Sequence, residues 1–562
     1  MTPGDRLLAD TQVVVGRALA THANLLTAGE AVVAERLMVL SGPPGRAWAR
    51  LIGRKRSVFR PRGLRWDDVP EPAAAVAALQ ALGLVHGGVP WDRRVPLFTV
   101  PELKAAAARL GLPVSGRRAE LEERLVGQTG WSDEPVLRVG YRRLLRRLEL
   151  LAFATPFRDR RAVTLDRIGV IQRAKYTPTG GPSLFLDRAG LKALEAAMVT
   201  PEVIDPEALL ASVQSGEARP IWLRRLDPRR WQARLLFEAA QVVERGGELE
   251  RAEGLYQGLL DASRPGRAVE EAALVKRLAL TRERLGRPGD GAGLCELWRD
   301  RIALEGRPGL ERTGRRLARK AKRPWRPARP LRQPPARRLQ LPPGPKRGGR
   351  PTWGDPPLPV EAAVIRALAP RRALHSENWL WTTLFGLVFD ALYWAPVPGM
   401  LPAAALSGPL DLGTPAFVEH RREAFEAHLA RIVAGEAPAM LRATWDAREG
   451  QRVRGVAWTV VDRETLAEAA EGLGGAVLVA VLRRLGEEGW RAARGLPDLL
   501  VLPGPAGVIA GAVPASLDAG VTLAEIKGPT DSLRDAQRVW LDALLRAGAR
   551  VELWNLRADK ES

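Results

Sequence analysis

GLPDLLVL at residues 495–502, followed by VTLAEIKGPTDSLRDAQRVWLDALLRAGARVELWNL at 521–556, decides the fold class. Leu499 to Leu502 and Val521 to Lys527 are short apolar runs bounded by Gly and Pro, the pattern of buried strands. Asp531-Ser532 is a helix-start signal, and Leu533, Gln537, Trp540 and Leu544 recur at helical spacing until Gly548 stops the helix. Arg550 to Leu556 then reads as a strand that returns through a crossover to pair with the Glu525 strand. The expected architecture is multidomain: mainly α-helical N-terminal and middle regions, and a C-terminal α/β domain.

Side chains alternate along a strand, so Glu525 and Lys527 leave one face and Ile526 the other. Asp498 heads the neighbouring run, with 26 residues between it and Glu525. Mg²⁺ or Mn²⁺ takes hard oxygen ligands, here Asp498, Glu525 and the main-chain carbonyl of Ile526, and keeps positions open for water and a phosphate oxygen. Lys527 can hold the attacking water and offset charge in the transition state. Gln537, polar on the packing face of its helix, belongs in a wet site, which makes Lys527, Asp498, Glu525 and Gln537 the candidate catalytic group. A surface salt bridge between Glu525 and Lys527 is the bland alternative. Lysine argues against it: only ten of the 86 basic residues are lysines, so one spent here is poorly explained by codon bias. The spacing is similar to the restriction-endonuclease-like arrangement.

Working outward, the 562 residues imply several domains. A formal charge of +22 favours a polyanionic partner. No charge-free apolar run of membrane-spanning length and no signal peptide is read, so a cytoplasmic, nucleoid-associated bacterial protein with no membrane partner is expected. Cys295 is the only cysteine, which excludes a disulfide and a cysteine-built zinc site. Gly42-Pro-Pro-Gly45 lacks the lysine of a nucleotide-binding P-loop, and the five histidines show no metal spacing.

The expected organisation is a helical or winged-helix-like module at 1–97, a DNA-binding region at 98–220, a helical repeat at 221–310, a basic Pro/Arg-rich linker at 311–355, a helical segment at 356–455 and the nuclease domain at 456–562. VPELKAAAARLGLPVSGRRAELEERLV at 100–126 resembles the SAP-type helical hairpin, which implies phosphate contacts from Lys104, Arg117, Arg118 and Arg124. Ala239, Ala240, Ala252, Leu255 and Tyr256 resemble a tetratricopeptide-type pair, a possible platform for protein partners, and an ordinary helical bundle fits nearly as well. Residues 311–350 hold 15 Lys or Arg against one acid with eight prolines, so an extended solvated segment is expected. It could strap phosphates, with Trp325 stacking on a base.

Gly495-x-Pro497-Asp498, Glu525-x-Lys527-Gly528-Pro529-x-Asp531 and Gln537-x-x-Trp540 resemble the VRR-NUC nuclease domain, and HSENWLWTTLFGLVFDALYWAPVPGM at 375–400 resembles the segment preceding it in Fanconi-associated nucleases. That resemblance implies a structure-selective DNA nuclease of phosphodiesterase I type, acting as a 5′-flap endonuclease and 5′-to-3′ exonuclease on branched or flapped DNA in interstrand crosslink repair. It also implies a third metal-binding acid at Glu377, where Ser376 is read as a helix cap. Asp390 departs from the family pattern, as does Ala536 at a position where some relatives carry a phosphate-binding lysine. Arg491, Arg494 and Arg534 are the candidates for holding a terminal phosphate, and a catalytically inactive DNA-binding scaffold is the competing function.

Overall fold

The computed structural model describes residues 2–154, 172–179, 184–185, 187–198, 204–216, 219–262, 271–347, 350–354, 356–377, 379–402, 406–504, 520–529 and 531–558. The chain divides into two units, Met1–Ile171 with Ser183–Leu191 and Gln172–Pro182 with Lys192–Ser562.

In the first unit, helix Pro3–His22 starts on a Thr2 capping box and buries Leu8, Val14, Val15 and Ala18. A small antiparallel sheet has the order β1 (Val58–Phe59), β3 (Leu137–Val139), β2 (Val85–His86). Its central strand lies beyond residue 97, so the boundary expected there is not a structural one. Helices Val100–Arg109 and Arg118–Leu125 form the expected hairpin, closed on Leu103, Ala106, Leu121, Leu125, Phe98 and Trp131.

In the second unit, helices Pro228–Arg245, Leu249–Asp261, Glu271–Arg284, Pro288–Arg299 and Arg307–Lys320 pack around Leu236, Tyr256, Leu278, Cys295 and Leu317. Burial pushes the Cys295 thiol up to about 12, the behaviour of a core residue.

The stretch expected to be a solvated linker is extended and mostly exposed only over residues 323–335, and its two ends are regular secondary structure instead. Its first part belongs to helix Arg307–Lys320, and its second forms β4 (Ala336–Leu341) and a hairpin of β5 (Pro343–Arg347) and β6 (Arg350–Trp353). Composition hid a period-2 pattern: Leu339 and Leu341 are buried while Arg338 and Gln340 are exposed. The prolines flank β4 rather than interrupt it. Trp325 offers no stacking face, because its indole donates to Glu311 and packs against the core of these helices.

The main sheet has the order β4, β10 (Val551–Ala558), β9 (Thr522–Lys527), β8 (Leu499–Val501), β7 (Ala373–His375). β10 runs parallel to β4 and β9, and β8 is antiparallel to β9 and β7. One face packs Leu499, Val501, Ala524, Ile526 and Trp554 against helix Val360–Ala367. The other packs Leu500, Leu502 and Leu523 against Trp540 and Leu544 of helix Asp535–Arg546. That helix is capped three residues later than Asp531 suggested, since Asp531 accepts from Gly528 N instead and Arg534 occupies the cap.

Helices Trp379–Val388, Arg422–Val433, Ala437–Arg448 and Arg463–Glu487 share this second core. The boundary expected at 455/456 therefore cuts one hydrophobic core, and β7 places residues 373–375 within the catalytic sheet. Among the described residues, Arg463–Glu487 is long and apolar enough to cross a membrane; here it is a core helix burying Leu466, Val477, Val481 and Leu485.

Leu339→Ala and Leu341→Ala should each cost about 2–5 kcal/mol in urea unfolding, whereas exposed Arg338→Ala should stay within about 0.5 kcal/mol. A solvated strap would show no such difference.

Candidate active site

The strand register places Asp498 opposite Glu525, because Leu499 pairs with Ala524 in the antiparallel β8–β9 ladder. Alternation puts Asp498 on the face of Leu500 and Glu525 on that of Leu523, so both carboxylates face helix Asp535–Arg546. Asp498 is pinned by the Ile526 amide, which donates to Oδ2 at 2.8 Å. Lys527 Nζ lies 2.6 Å from Glu525 Oε1. Gln537 bridges sheet and helix: its Nε2 donates to Glu525 Oε1, and its Oε1 accepts from the Arg534 amide at 2.9 Å.

Glu525 is fully buried, and its Oε2 has no hydrogen-bond partner among the described residues. Burial, then the neighbouring Asp498 charge, pushes the Glu525 carboxyl up to about 8 against the pull of Lys527. Asp498 is also raised, first by burial, with Glu361 and Glu377 adding negative charge and the Ile526 amide opposing. Gly495 has φ +90°, and a Cβ there would stand 2.7 Å from Gln537 N. The glycine of the Gly-x-Pro-Asp motif thus lets this loop touch the helix that carries Gln537.

Glu377 is exposed and close enough to act on Asp498 electrostatically, yet no three metal-ligating side chains converge among the described residues. Ser376 does not cap the following helix, which starts at Trp379. Its Oγ donates to Pro497 O at 2.6 Å and its amide to Asp498 O at 2.8 Å, fixing β7 to the catalytic loop. Asp390 accepts from Trp394 and Arg448, a structural role.

Lys104 and Arg117 are exposed on the hairpin, as expected of phosphate contacts. Arg118 and Arg124 are instead engaged internally. Arg118 bonds Glu122 and the Phe98 carbonyl, and Arg124 bonds the carbonyls of Pro113 and Ser115. Arg491, Arg494 and Arg534 are exposed. Sequence reasoning missed Arg224: burial and then the positive charges of Arg230 and Arg491 lower it to about 10. Asp227 and Glu271 pull the other way, so Arg224 lies among charges of both signs. The signal was the run Arg224-Arg225-Leu-Asp-Pro-Arg229-Arg230.

Residues 434–558 match the VRR-NUC domain and residues 94–128 the SAP domain. The chain is 25% identical to a Fanconi-associated nuclease 1 homolog of Arabidopsis thaliana, over 97% of this chain and 66% of that protein. It is 28% identical to the homolog of Pseudomonas aeruginosa, over 88% of this chain and 85% of that protein. The fold matches the crystal structure of paFAN1 bound to DNA with a 2-nucleotide 5′ flap and a gap, with TM-score 0.82, 25% identity and 100% of both chains covered. The chain is similar to Fanconi-associated nucleases, and its residues 434–558 to the VRR-NUC domain. It spans just under two thirds of the length of the Arabidopsis relative and 19% of that from Ailuropoda melanoleuca.

A nuclease domain of the VRR-NUC kind implies a divalent metal, and the residues present fit one. An unpartnered, fully buried carboxylate oxygen beside a second carboxylate is costly without a cation.

The metal-free protein should lose stability as pH rises from about 5 to about 8. In that window the folded Glu525, titrating near 8, keeps a proton that the unfolded chain has released above 4.5. The melting temperature in EDTA should therefore fall across this range. Mg²⁺ or Mn²⁺ should offset the fall, and Glu525→Gln should flatten it.

Proposed function

We propose that this protein is a structure-selective, metal-dependent DNA nuclease, a 5′-flap endonuclease and 5′-to-3′ exonuclease of phosphodiesterase I type. It acts on branched or flapped DNA in interstrand crosslink repair, in the cytoplasm of a bacterium and on nucleoid DNA. The carrying observation is the Asp498–Glu525 pair, Asp498 half-buried and Glu525 fully buried with its Oε2 unpaired among the described residues and Lys527 beside it.

Asp498, Glu525 and the Ile526 carbonyl would hold Mg²⁺ or Mn²⁺, with Glu377 as a further ligand once a substrate is seated; hard oxygen donors suit these ions. Such a cation, when bound, polarises a phosphoryl oxygen and acidifies a water. Lys527 is placed to donate to the attacking water or a non-bridging phosphate oxygen, where negative charge grows. Gln537 holds Glu525 Oε1, leaving Oε2 for the site. The catalytic group is therefore Asp498, Glu525 and Lys527, with Gln537 as a positioning residue.

A site of this kind cuts any phosphodiester placed in it, so polarity has to come from where a DNA end is held. Arg224 and Arg491 are proposed to take a terminal phosphate by charge-assisted bonds. The paFAN1 structures hold 5′-flap DNA, and that substrate class is carried over to this chain as part of the proposal.

Asp498→Ala, Glu525→Ala and Lys527→Ala should each slow cleavage by at least about 100-fold with DNA affinity nearly unchanged, and EDTA should stop it. End-labelled 5′-flap, 3′-flap, duplex and single-stranded DNA would check the assignment. Full cleavage by Asp498→Ala would overturn the nuclease reading, whereas preferential cutting of 3′ flaps would remove only the polarity. Arg224→Ala should weaken cutting of a 5′-phosphorylated end more than of a 5′-hydroxyl end.

A further inference from the structure

Helix Asp535–Arg546 turns Gln537, Trp540 and Leu544 towards the sheet, and its opposite face is left to another use. That face forms one wall of a groove of about 1230 Å³, with helix Arg307–Lys320 and residues 326–333 as the other walls. Its volume is above the range of about 300–1000 Å³ usual for small-molecule sites, so a polymer segment suits it better.

Eight arginines line the groove against four carboxylates. Arg312 grips Asp535 through two bonds of 2.6 and 2.7 Å, and Arg546 holds Asp542 at 2.8 Å. Arg326 and Arg329 are exposed and have no carboxylate within ion-pair distance among the described residues. Between them the lining is aliphatic: Leu331, Leu533 and Val539 with prolines of the 326–333 segment. No aromatic side chain lines it among the described residues, since Trp325 is turned onto the helical core. A single-stranded nucleic acid would call for stacking platforms, and its unbroken phosphate backbone would have to pass the Asp535 and Asp542 carboxylates. An acidic peptide has no such need.

We propose that this groove docks an acidic segment of a partner protein, its carboxylates meeting Arg326 and Arg329 and a branched aliphatic side chain seated among Leu331, Leu533 and Val539. Alternating charged and apolar contacts of this kind suit a short, reversible tether. It would hold the nuclease near its partner without occupying the catalytic face.

The test uses the full chain and a fluorescein-labelled peptide in which glutamates alternate with leucines, followed by fluorescence anisotropy. Saturable binding should weaken at least about tenfold when serines replace the leucines, and likewise with Arg329→Glu or Leu331→Asp. Arg329→Glu changes an exposed residue, so the result does not hang on the fold surviving Leu331→Asp. Cleavage of flap DNA by Arg329→Glu should stay within about twofold. Absence of peptide binding, or binding indifferent to both variants, would overturn the proposal. So would an oligothymidylate whose affinity drops with Arg329→Glu while the peptide's does not, which would assign the groove to nucleic acid.

Discussion

Two carboxylates face each other across an antiparallel strand pair inside a sheet whose neighbouring side chains are leucine, valine and isoleucine, and the rest of the C-terminal structure answers to that constraint. Neither can lie there ionised at no cost. Asp498 is compensated by the Ile526 amide, and one oxygen of Glu525 by Lys527 and Gln537. The other oxygen is left open, in a structure where the first is doubly served. Ser376, which ties β7 to the main chain of Pro497 and Asp498, and Gly495, which admits the loop to the Gln537 helix, are the means of holding that geometry. Burial raises both acids, and a divalent cation of the kind a nuclease domain implies would offset that cost.

How much of this was legible in the sequence depends on how local the signal was. Asp498, Glu525 and Lys527 could be read because strand alternation and one register pairing suffice to bring them together, and because lysine is rare enough to stand out. Gln537 was legible as a polar break in an apolar helical face. β4 was not: the arginines and prolines around it dominate the composition, and two buried leucines at period 2 are too short a pattern to overrule them. The boundaries at 97 and 455 failed for a different reason. β3 and β7 each complete a sheet with strands far away in sequence, and such pairings are set by tertiary packing, which local propensity does not encode. The lowered pKa of Arg224 was not legible because it depends on burial and on Arg491, distant in the chain, as well as on its neighbours.

The net charge of +22 misleads if it is taken as a uniform coat. Many arginines are spent inside the fold. Arg421 lies buried on Asp411, Arg299 on Glu311, and Arg484 on Glu305 and Glu488 while standing over the Trp540 ring at 4.2 Å. Arg118 and Arg124, which a motif alone would send to phosphates, close the hairpin by holding its carbonyls. A planar donor fork suits such work, and a genome that favours arginine supplies it freely. The exposed or half-buried cations that pair with no carboxylate at ion-pair distance among the described residues form separate sets: Lys104 and Arg117 on the hairpin, Arg224 with Arg491 in the second unit, and Arg326 with Arg329 in the groove.

Within the second unit the helices from Pro228 to Lys320 and the catalytic sheet are joined by more than a chain connection. Arg312 of helix Arg307–Lys320 holds Asp535 of the nuclease helix, the Arg332 amide donates to Asp542, and the segment then enters the sheet as β4 against β10. A flexible strap would let the helices drift relative to Asp498 and Glu525, so any anion held by Arg224 would arrive at no fixed distance from them. Pairing β4 to β10 over six residues removes that freedom. Whatever the helices bind is thereby held at a fixed distance from the carboxylate pair, and β4 with its flanking contacts supplies that rigidity.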